Sequence, residues 1–369
     1  MKQGTVFAVL SAASAPVLAQ SSITLYGVVD ANIEYVSHYS SIAPTQPGFP
    51  GPAHSKIGMT PGGLSGSRWG IRGTEDLGRG MKALFVLENG FGSDDGKLQQ
   101  GGRIFGRQAY VGLQSDSVGA ITLGRQYTTI FSALADFSPT RYGVQYEPIA
   151  MQLGLNYRSD NVIKYVGKFG GVTAGGYWSF GNGVAGAGEV AGQFRRDTGY
   201  GASLSYSGGP FGATVVYDQY NPTLSATTGA TGAFRKVALA ASYETGPVKV
   251  MGGYRWGLNK GTTDATLLRD NYYWIGANYQ ATAALGLTLA YYYDDIRNVA
   301  GFNVKNPWQV TFIADYAFSK RTDVYLTTAY SKNSGLNFDT SAISFANAYY
   351  LGAGADNMIG VAVGVRHRF

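Results

Sequence analysis

The chain has 369 residues, 53 glycines, 27 tyrosines and no cysteine, and only 14% of its residues are charged, with a formal net charge of +6. The absence of cysteine excludes disulfides, thiol catalysis and cysteine-based metal sites, and the aromatic, glycine-rich composition is unlike that of helical or disordered proteins. The small positive excess is not clustered in runs, so it does not indicate nucleic-acid binding. After the N-terminus there is no window of about 18 uninterrupted apolar residues, which excludes a transmembrane helix.

The N-terminal segment predicts a secretory signal peptide covering residues 1–19. Lys2 supplies a positive charge, an apolar and small-residue core runs from Val6 to Leu18, and Val17-Leu18-Ala19 is a small-x-small cleavage site. A structural first helix is the less favoured interpretation, because the segment is short and a strand pattern follows directly. Cleavage would start the mature chain at Gln20.

The first strand pattern, from Ser22 to His38, alternates between an apolar and a polar face. Side chains along a strand point to opposite sides in turn, so the two sets separate in space. The apolar face suits lipid or a partner subunit, and the other face suits water. The apolar face carries Ile23, Leu25, Gly27, Val29, Ala31, Ile33 and Tyr35, and the other carries Thr24, Tyr26, Val28, Asp30, Asn32 and Glu34.

Short turn signals alternate with long polar or glycine-rich connections through the rest of the chain. The turn signals lie at 76–80, 115–119, 167–171, 207–210, 244–247 and 319–322, with a weaker one near 281–286. The long connections cover 39–64, 92–102, 128–157, 181–193, 222–233, 259–269, 299–306 and 333–354. Short turns on one side and long loops on the other are typical of an outer-membrane barrel. The pattern predicts an all-β fold, a 16-stranded antiparallel transmembrane β-barrel formed by residues 20–369 as one domain.

The last stretch, from Asp356 to Phe369, also alternates and ends on an aromatic residue. An unpaired strand edge invites aggregation in water, and in lipid each unpaired amide costs several kcal/mol. We therefore expect this strand to pair with the first one and close the barrel. The apolar alternation with terminal Phe369 resembles the assembly signal of bacterial outer-membrane barrel proteins. A buried strand of a soluble protein is the alternative.

Five stretches together resemble the general-diffusion porins of beta-proteobacteria. They are Ser22–Gly27, Ser67–Gly78, Gly106–Leu113, Leu123–Tyr127 and His367–Phe369. The resemblance implies a homotrimer of sixteen-stranded barrels in the Gram-negative outer membrane, in contact with lipid and lipopolysaccharide. It also implies passive diffusion of small hydrophilic solutes and ions through a water-filled channel, without a cofactor or a metal.

The long connection from Thr128 to Tyr157 is the candidate for a pore-narrowing element. It lies between the fifth and sixth predicted strands, and in the resembling family the corresponding third loop folds into the barrel. It carries Asp136, Arg141 and Glu147 as charged residues. An ordinary surface loop is the alternative.

Charged residues on the predicted strands are the candidates for the opposite wall of the pore. Arg68 shares a face with Arg72, Lys82 with Glu88, and Arg158 with Lys164. Because an Arg or Lys facing mid-bilayer lipid costs about 2–4 kcal/mol, these faces are expected to line the lumen.

The resemblance adds that Arg68, Arg107 and Arg158 match arginines lining the constriction of the family. Arg107 presents a difficulty, because it shares parity with Ala109 and Val111, which are expected to face outward. A bulge near the strand start, or burial of that face in a trimer, would resolve it. Each candidate has the alternative of being an ordinary solvated lumen charge.

The charge count predicts a weak preference for anions. The candidates at the narrowest ring are four cations and three acids: Arg68, Lys82, Arg107 and Arg158 against Glu88, Asp136 and Glu147. A substrate-selective outer-membrane channel, a barrel enzyme and a soluble carbohydrate-binding sandwich are the alternatives. The enzyme is disfavoured because His38, His54 and His367 are not placed to orient a serine nucleophile.

Overall fold

The computed structural model describes residues 21–44, 46–181, 189–300, 304–339 and 349–369. The predicted signal peptide lies outside these residues, so its cleavage site and the start of the mature domain stay predictions. None of the described helices is long and apolar enough to cross a membrane.

Within the described residues, seventeen strand segments form a single antiparallel sheet that closes on itself. They are β1 (Ser21–Tyr39), β2 (His54–Pro61), β3 (Arg68–Gly78), β4 (Met81–Gly90), β5 (Gln108–Ser115), β6 (Gly119–Tyr127), β7 (Arg158–Phe169), β8 (Val172–Ser179), β9 (Gly199–Gly208), β10 (Phe211–Tyr220), β11 (Ala233–Thr245), β12 (Val248–Lys260), β13 (Thr266–Gln280), β14 (Leu285–Val299), β15 (Trp308–Ala317), β16 (Thr322–Lys332) and β17 (Asn357–Arg368).

The segments β2 and β3 are two halves of one barrel strand. β2 pairs with the second half of β1, and β3 pairs with its first half. On its other edge β1 pairs with β17, from Val28 opposite Arg368 to Val36 opposite Gly360. The barrel therefore closes with sixteen strands, and the predicted fold is confirmed.

The two faces of β1 and β17 match the predicted alternation. On β1, Ile23 is 72% exposed whereas Asp30 is fully buried, and on β17 Val363 is 60% exposed whereas Met358 is fully buried. Apolar side chains thus cover the outside of the barrel, and polar and small ones line its inside, as in outer-membrane barrels. Phe369 continues the β1–β17 ladder, because its N–H donates to the Gly27 carbonyl and its carbonyl accepts from the Gly27 N–H.

Short turns and long connections alternate along the barrel as the sequence predicts, with two differences. The predicted connection 259–269 is much shorter, because β12 runs to Lys260 and β13 begins at Thr266, and these two residues pair. The predicted first connection 39–64 contains the strand β2. In both places polar residues or glycines hide the alternation of apolar and polar side chains. The strands form nevertheless, because backbone hydrogen bonds to a neighbouring strand do not depend on that alternation.

The connection between β6 and β7 lies inside the barrel. It contains α1 (Thr129–Leu134), a 3-10 turn (Ala135–Phe137) and α2 (Ile149–Leu153). The indole Nε1 of Trp274, an inward residue of β13, donates to the Phe137 carbonyl at 2.8 Å. Ile130 and Leu134 of α1 are fully buried against the inner wall. These contacts exclude an ordinary surface loop, and this connection is called the third loop below.

Candidate functional site: a charged constriction

Glu88 joins two of the candidate wall arginines. It lies on the inward face of β4, where its Oε1 accepts from Arg107 Nε at 2.7 Å and its Oε2 lies 3.9 Å from Arg68 Nε. The Tyr26 hydroxyl donates to Oε2 at 3.0 Å. Glu88 and Arg107 are buried, whereas the Arg68 side chain keeps 27% exposure. One carboxylate therefore balances two guanidinium groups, and part of the positive charge remains directed at the lumen.

The strand register removes the difficulty that the sequence raised for Arg107. β5 begins at Gln108, so Arg107 lies just before the strand and does not follow the alternation of Ala109. Its N–H donates to the Glu88 carbonyl at 3.2 Å, which holds the backbone beside β4 while the side chain turns inward.

Tyr127 connects Arg107 to the third candidate arginine. Its hydroxyl accepts from Arg107 Nη2 at 2.9 Å and from Arg158 Nη2 at 3.0 Å. The Arg158 guanidinium also lies over the rings of Tyr127 and Tyr157, at 4.7 and 4.9 Å from their centroids. Stacking on aromatic faces suits a guanidinium, which is planar and weakly hydrated. We call Arg68, Arg107 and Arg158, with Glu88 and Tyr127, the arginine cluster.

Lys164 attaches the third loop to the wall beside this cluster. Its Nζ donates to the Tyr127 carbonyl at 2.9 Å and to Ser132 Oγ of α1 at 3.0 Å, and the residue is only 8% exposed. Its ammonium group is thus largely occupied in joining β6 to α1. The sequence indicated its inward direction but not this attachment.

Arg72 and Lys82 lie outside the cluster. The Arg72 guanidinium lies over the ring of Tyr26, 5.3 Å from its centroid. Lys82 is the second residue of β4 after a short turn, and its Nζ lies 3.4 Å from Asp116 in the neighbouring short turn. Lys82 therefore belongs to the short-turn rim and not to a narrow ring beside the third loop. The alternation gave its face, but not its depth along the barrel.

Glu147 does not face the channel. It is 2% exposed, and its carboxylate accepts from Ser138 Oγ at 2.7 Å and from Thr140 Oγ1. Burial raises the pKa of Glu147 to about 7, and the two hydroxyl donors oppose that rise. The prediction of Glu147 as a pore-lining acid is therefore corrected: the loop folds over this residue, which its spacing in the sequence could not indicate.

Asp136, in contrast, is exposed and borders open space. It lines a cavity of about 710 Å³ together with Lys164, Lys168 and Lys249. Lys249, which the sequence analysis missed, donates from Nζ to the Asp136 carbonyl at 2.9 Å. An adjoining cavity of about 470 Å³ is lined by the cations Arg141, Lys249, Arg366 and Arg368 and by the acids Glu244 and Asp315.

A second ionic group that sequence reasoning missed adjoins the arginine cluster. Asp160 of β7 accepts from Arg125 Nη1 of β6 at 2.5 Å and from Arg103 Nη1 at 2.8 and 2.9 Å. Arg103 comes from the connection between β4 and β5, so no local pattern could have paired it with Asp160. Across this wall the arginines outnumber the carboxylates that they contact.

Comparisons with known proteins agree with this architecture. Residues 5–336 match the family model described as Gram-negative porin. Among curated proteins, an outer membrane porin of Bordetella pertussis is 30% identical over 95% of both chains, and outer membrane porin protein 32 of Delftia acidovorans is 30% identical over the full length of both. The solved anion-selective porin from Comamonas acidovorans superposes with a TM-score of 0.76 at 28% identity, covering 95% of this chain and all of that one. The chain therefore belongs to the Gram-negative porin family, and it is a channel protein of the outer membrane and not an enzyme.

Proposed function

We propose that this porin is a weakly anion-preferring general-diffusion channel whose narrow zone lies between the third loop and the arginine cluster. The observation that carries the proposal is the charge balance of the cluster, which holds three guanidinium groups and the single carboxylate of Glu88: Arg68 and Arg107 lie beside this carboxylate, and Arg158 is joined to Arg107 through Tyr127. The loop adds the exposed carboxylate of Asp136, whereas Glu147 is buried. The likeness to a relative that is itself named anion-selective supports the same sign of preference.

The magnitude follows from distance and dielectric. A unit charge about 4 Å from a passing ion contributes about 1–4 kcal/mol, depending on the effective dielectric. At physiological ionic strength, screening suppresses charges beyond about 8 Å, so only residues at the narrow zone decide selectivity. Arg107 and Arg68 share Glu88, which reduces their net effect, and the preference is therefore weak. Small hydrophilic solutes and inorganic ions pass without a dedicated binding step.

The test is the zero-current potential under a KCl gradient. Replacing Arg68 and Arg158 together by Ser removes two positive charges from the arginine cluster, and we expect the potential to shift toward cation preference. The matched control replaces Lys82 and Lys97, two cations that contact Asp116 and Asp95 outside the cluster, by Ser. Equal potentials for the two double variants would contradict the proposed position of the narrow zone.

We further propose that three barrels associate through the arc formed by β17 and β1 to β6. Its exposed large apolar residues are almost all aliphatic, whereas about half of those on β9 to β15 are aromatic. The first arc carries Ile23, Leu25, Ile33, Ile57, Met59, Val111, Leu113, Ile121, Leu123, Val363 and Val365, and the second carries Tyr206, Phe211, Tyr243, Tyr273, Tyr279, Tyr291 and Tyr316. Tyr and Trp concentrate where barrels meet the lipid–water interface, so the aliphatic arc suits burial against other subunits.

A tryptophan substitution distinguishes the two arcs. Ile33 and Ile275 are similarly exposed, at 59% and 56%, but lie on opposite arcs. Ile33→Trp should overpack a subunit interface and reduce the trimer fraction on a mild-detergent gel, whereas lipid should accommodate Ile275→Trp. Equal trimer fractions for both variants would contradict the proposed interface.

Lipopolysaccharide is the proposed lipid partner of the second arc, which is formed by β9 to β15. Arg235 and Arg269 both face outward at the loop end of their strands, and both are cross-strand neighbours of Leu258. Two strand spacings separate them by about 10 Å, and an outward cation costs about 0–1 kcal/mol only near the membrane interface. Replacing both by Ser should lower retention of phosphorylated lipopolysaccharide during purification. The control, Lys320→Ser with Arg321→Ser, removes two cations from a short turn at the opposite rim.

A further inference from the structure

The residues between β2 and β3 turn away from the sheet in the middle of a barrel strand. Pro61 pairs with Ala31 and Arg68 pairs with Val28, so residues 62–67 face only two residues of β1. The excess chain cannot remain in the sheet. It turns to the inside, where it reaches Asp30 on the inner face of β1. We call residues 62–67 the inward segment.

Asp30 holds the inward segment through three backbone amides. The N–H of Gly63 donates to Oδ1 at 3.1 Å, and the N–H groups of Leu64 and Ser65 donate to Oδ2 at 3.1 and 2.8 Å. The hydroxyl of Tyr325, from β16, donates to Oδ1 at 2.5 Å. Asp30 is fully buried and Tyr325 is 2% exposed. A buried carboxylate with four converging donors is a strong and directional attachment.

The opposite side of the inward segment carries the tip of the third loop. The N–H of Gln145 donates to the Gly63 carbonyl at 3.1 Å. A Cβ placed on Gly66 would lie 4.0 Å from Val144 Cγ2. The side-chain Nε2 of Gln145 also donates to Asn32 Oδ1 at 3.0 Å, and Asn32 lies on the same face of β1 as Asp30. The loop tip therefore rests on a segment whose other side is bonded to Asp30.

The inward segment also contacts one arginine on each of the two strands that flank β1. Arg68 Nη1 of the arginine cluster donates to the Gly66 carbonyl at 3.2 Å, and Arg366 Nη1 of β17 donates to Ser65 Oγ at 3.0 Å. Leu64 and Ser65 line the cavity of about 470 Å³ together with Arg141 of the loop. The segment thus lies between the two groups of cations that border the open space.

We propose that the inward segment forms a second wall of the narrow zone, and that Asp30 is the positioning residue that fixes both this segment and the tip of the third loop. The effect on ion flow rests on the proposed position of the narrow zone. The attachment of the loop tip to the inward segment can be measured without recording any current. The positioning role of Asp30 and the position of the narrow zone can therefore be refuted separately.

Asp30→Asn is the discriminating variant because it keeps the shape of the side chain. Its amide nitrogen must replace one carboxylate oxygen, and each oxygen accepts at least one backbone N–H. In either orientation of the amide, its NH2 group therefore faces a backbone N–H group, and two donors cannot bond to each other. Glu244→Gln is the matched control, because Glu244 is an exposed carboxylate that lines both cavities without bonding to the inward segment.

A disulfide measures whether the loop tip stays on the segment. The chain contains no cysteine, so Gly66→Cys with Val144→Cys introduces a unique pair. The backbone of Gly66 lies outside the left-handed region, and the nearest atom to an added Cβ is Arg107 Nη1 at 3.2 Å, the end of a flexible side chain that can move by a few tenths of an ångström. We expect rapid oxidation in the otherwise unchanged protein and in the Glu244→Gln control. With Asp30→Asn the rate should fall roughly tenfold, which corresponds to about 1.4 kcal/mol. Single-channel conductance and open-channel noise of Asp30→Asn should both increase.

Tyr325→Phe keeps the test decisive if Asp30→Asn fails to assemble. It removes one of the four donors to Asp30 but retains the ring, so the same changes should appear with smaller size. Oxidation rates equal to that of the Glu244→Gln control would overturn the positioning role of Asp30. A reduced oxidation rate with unchanged conductance would support that role and overturn the proposed position of the narrow zone.

Discussion

The buried carboxyl of Glu147 predicts that the third loop loosens as the pH rises. Burial raises its pKa from 4.5 to about 7. Between these values the packed loop binds more protons than a displaced loop, in which Glu147 is solvated. The packing of the loop is therefore most stable below pH 4.5, weakens through this window, and is fully weakened above pH 7. One pKa unit corresponds to 1.36 kcal/mol, so the complete change is about 3 kcal/mol.

The substitution that isolates this effect is Glu147→Gln. Glutamine has a similar size and cannot ionise. Its carbonyl oxygen can accept from one of the hydroxyls of Ser138 and Thr140, which now hold the carboxylate, and its NH2 group can donate to the oxygen of the other. We expect the variant to keep the low-pH packing at every pH. A loss of about 3 kcal/mol is a large part of the stability of a local loop, whose opening energies range upward from near zero.

The assay is single-channel recording at pH 5 and pH 8. The unmodified protein should show more open-channel noise and more frequent closures at pH 8, whereas Glu147→Gln should behave alike at both. Glu244→Gln, which changes an exposed lumen carboxylate, should retain the pH difference. A Glu147→Gln channel with the same pH dependence as the unmodified one would refute the reasoning.

Two further predictions concern assembly and the loop. Deleting Phe369 or replacing it by Asp should reduce membrane insertion without affecting synthesis, because its ring covers Gly27 and its backbone closes the β1–β17 ladder. His367→Asn on the same strand is the control, and unchanged trimer yield would count against an assembly role. Removing Ser132 to Glu147 should raise single-channel conductance, because a narrow zone carries most of the resistance. Unchanged conductance would show that the loop does not limit flow.

The alternation of side chains determined most of the barrel from the sequence. In β1, the period of two separates Ile23 from Asp30 without any knowledge of neighbouring strands, and in β17 it separates Val363 from Met358. Glycine and polar residues at the short turns determined the hairpins, because tight turns need specific backbone conformations. The length and position of the third loop, together with the resemblance to a porin family, indicated the element that enters the barrel.

Only the tertiary structure decided which charges meet and at what depth. Lys82 and Glu88 share a face of β4, yet one lies at the short-turn rim and the other at the centre of the arginine cluster. Arg107 turns inward because β5 starts only at the next residue, Gln108, so the alternation of that strand does not apply to Arg107. Glu147 is buried because the loop folds over it. Alternation is a local property of one strand. Depth, burial and ion pairing depend on cross-strand register and on loop packing, which join residues far apart in the chain.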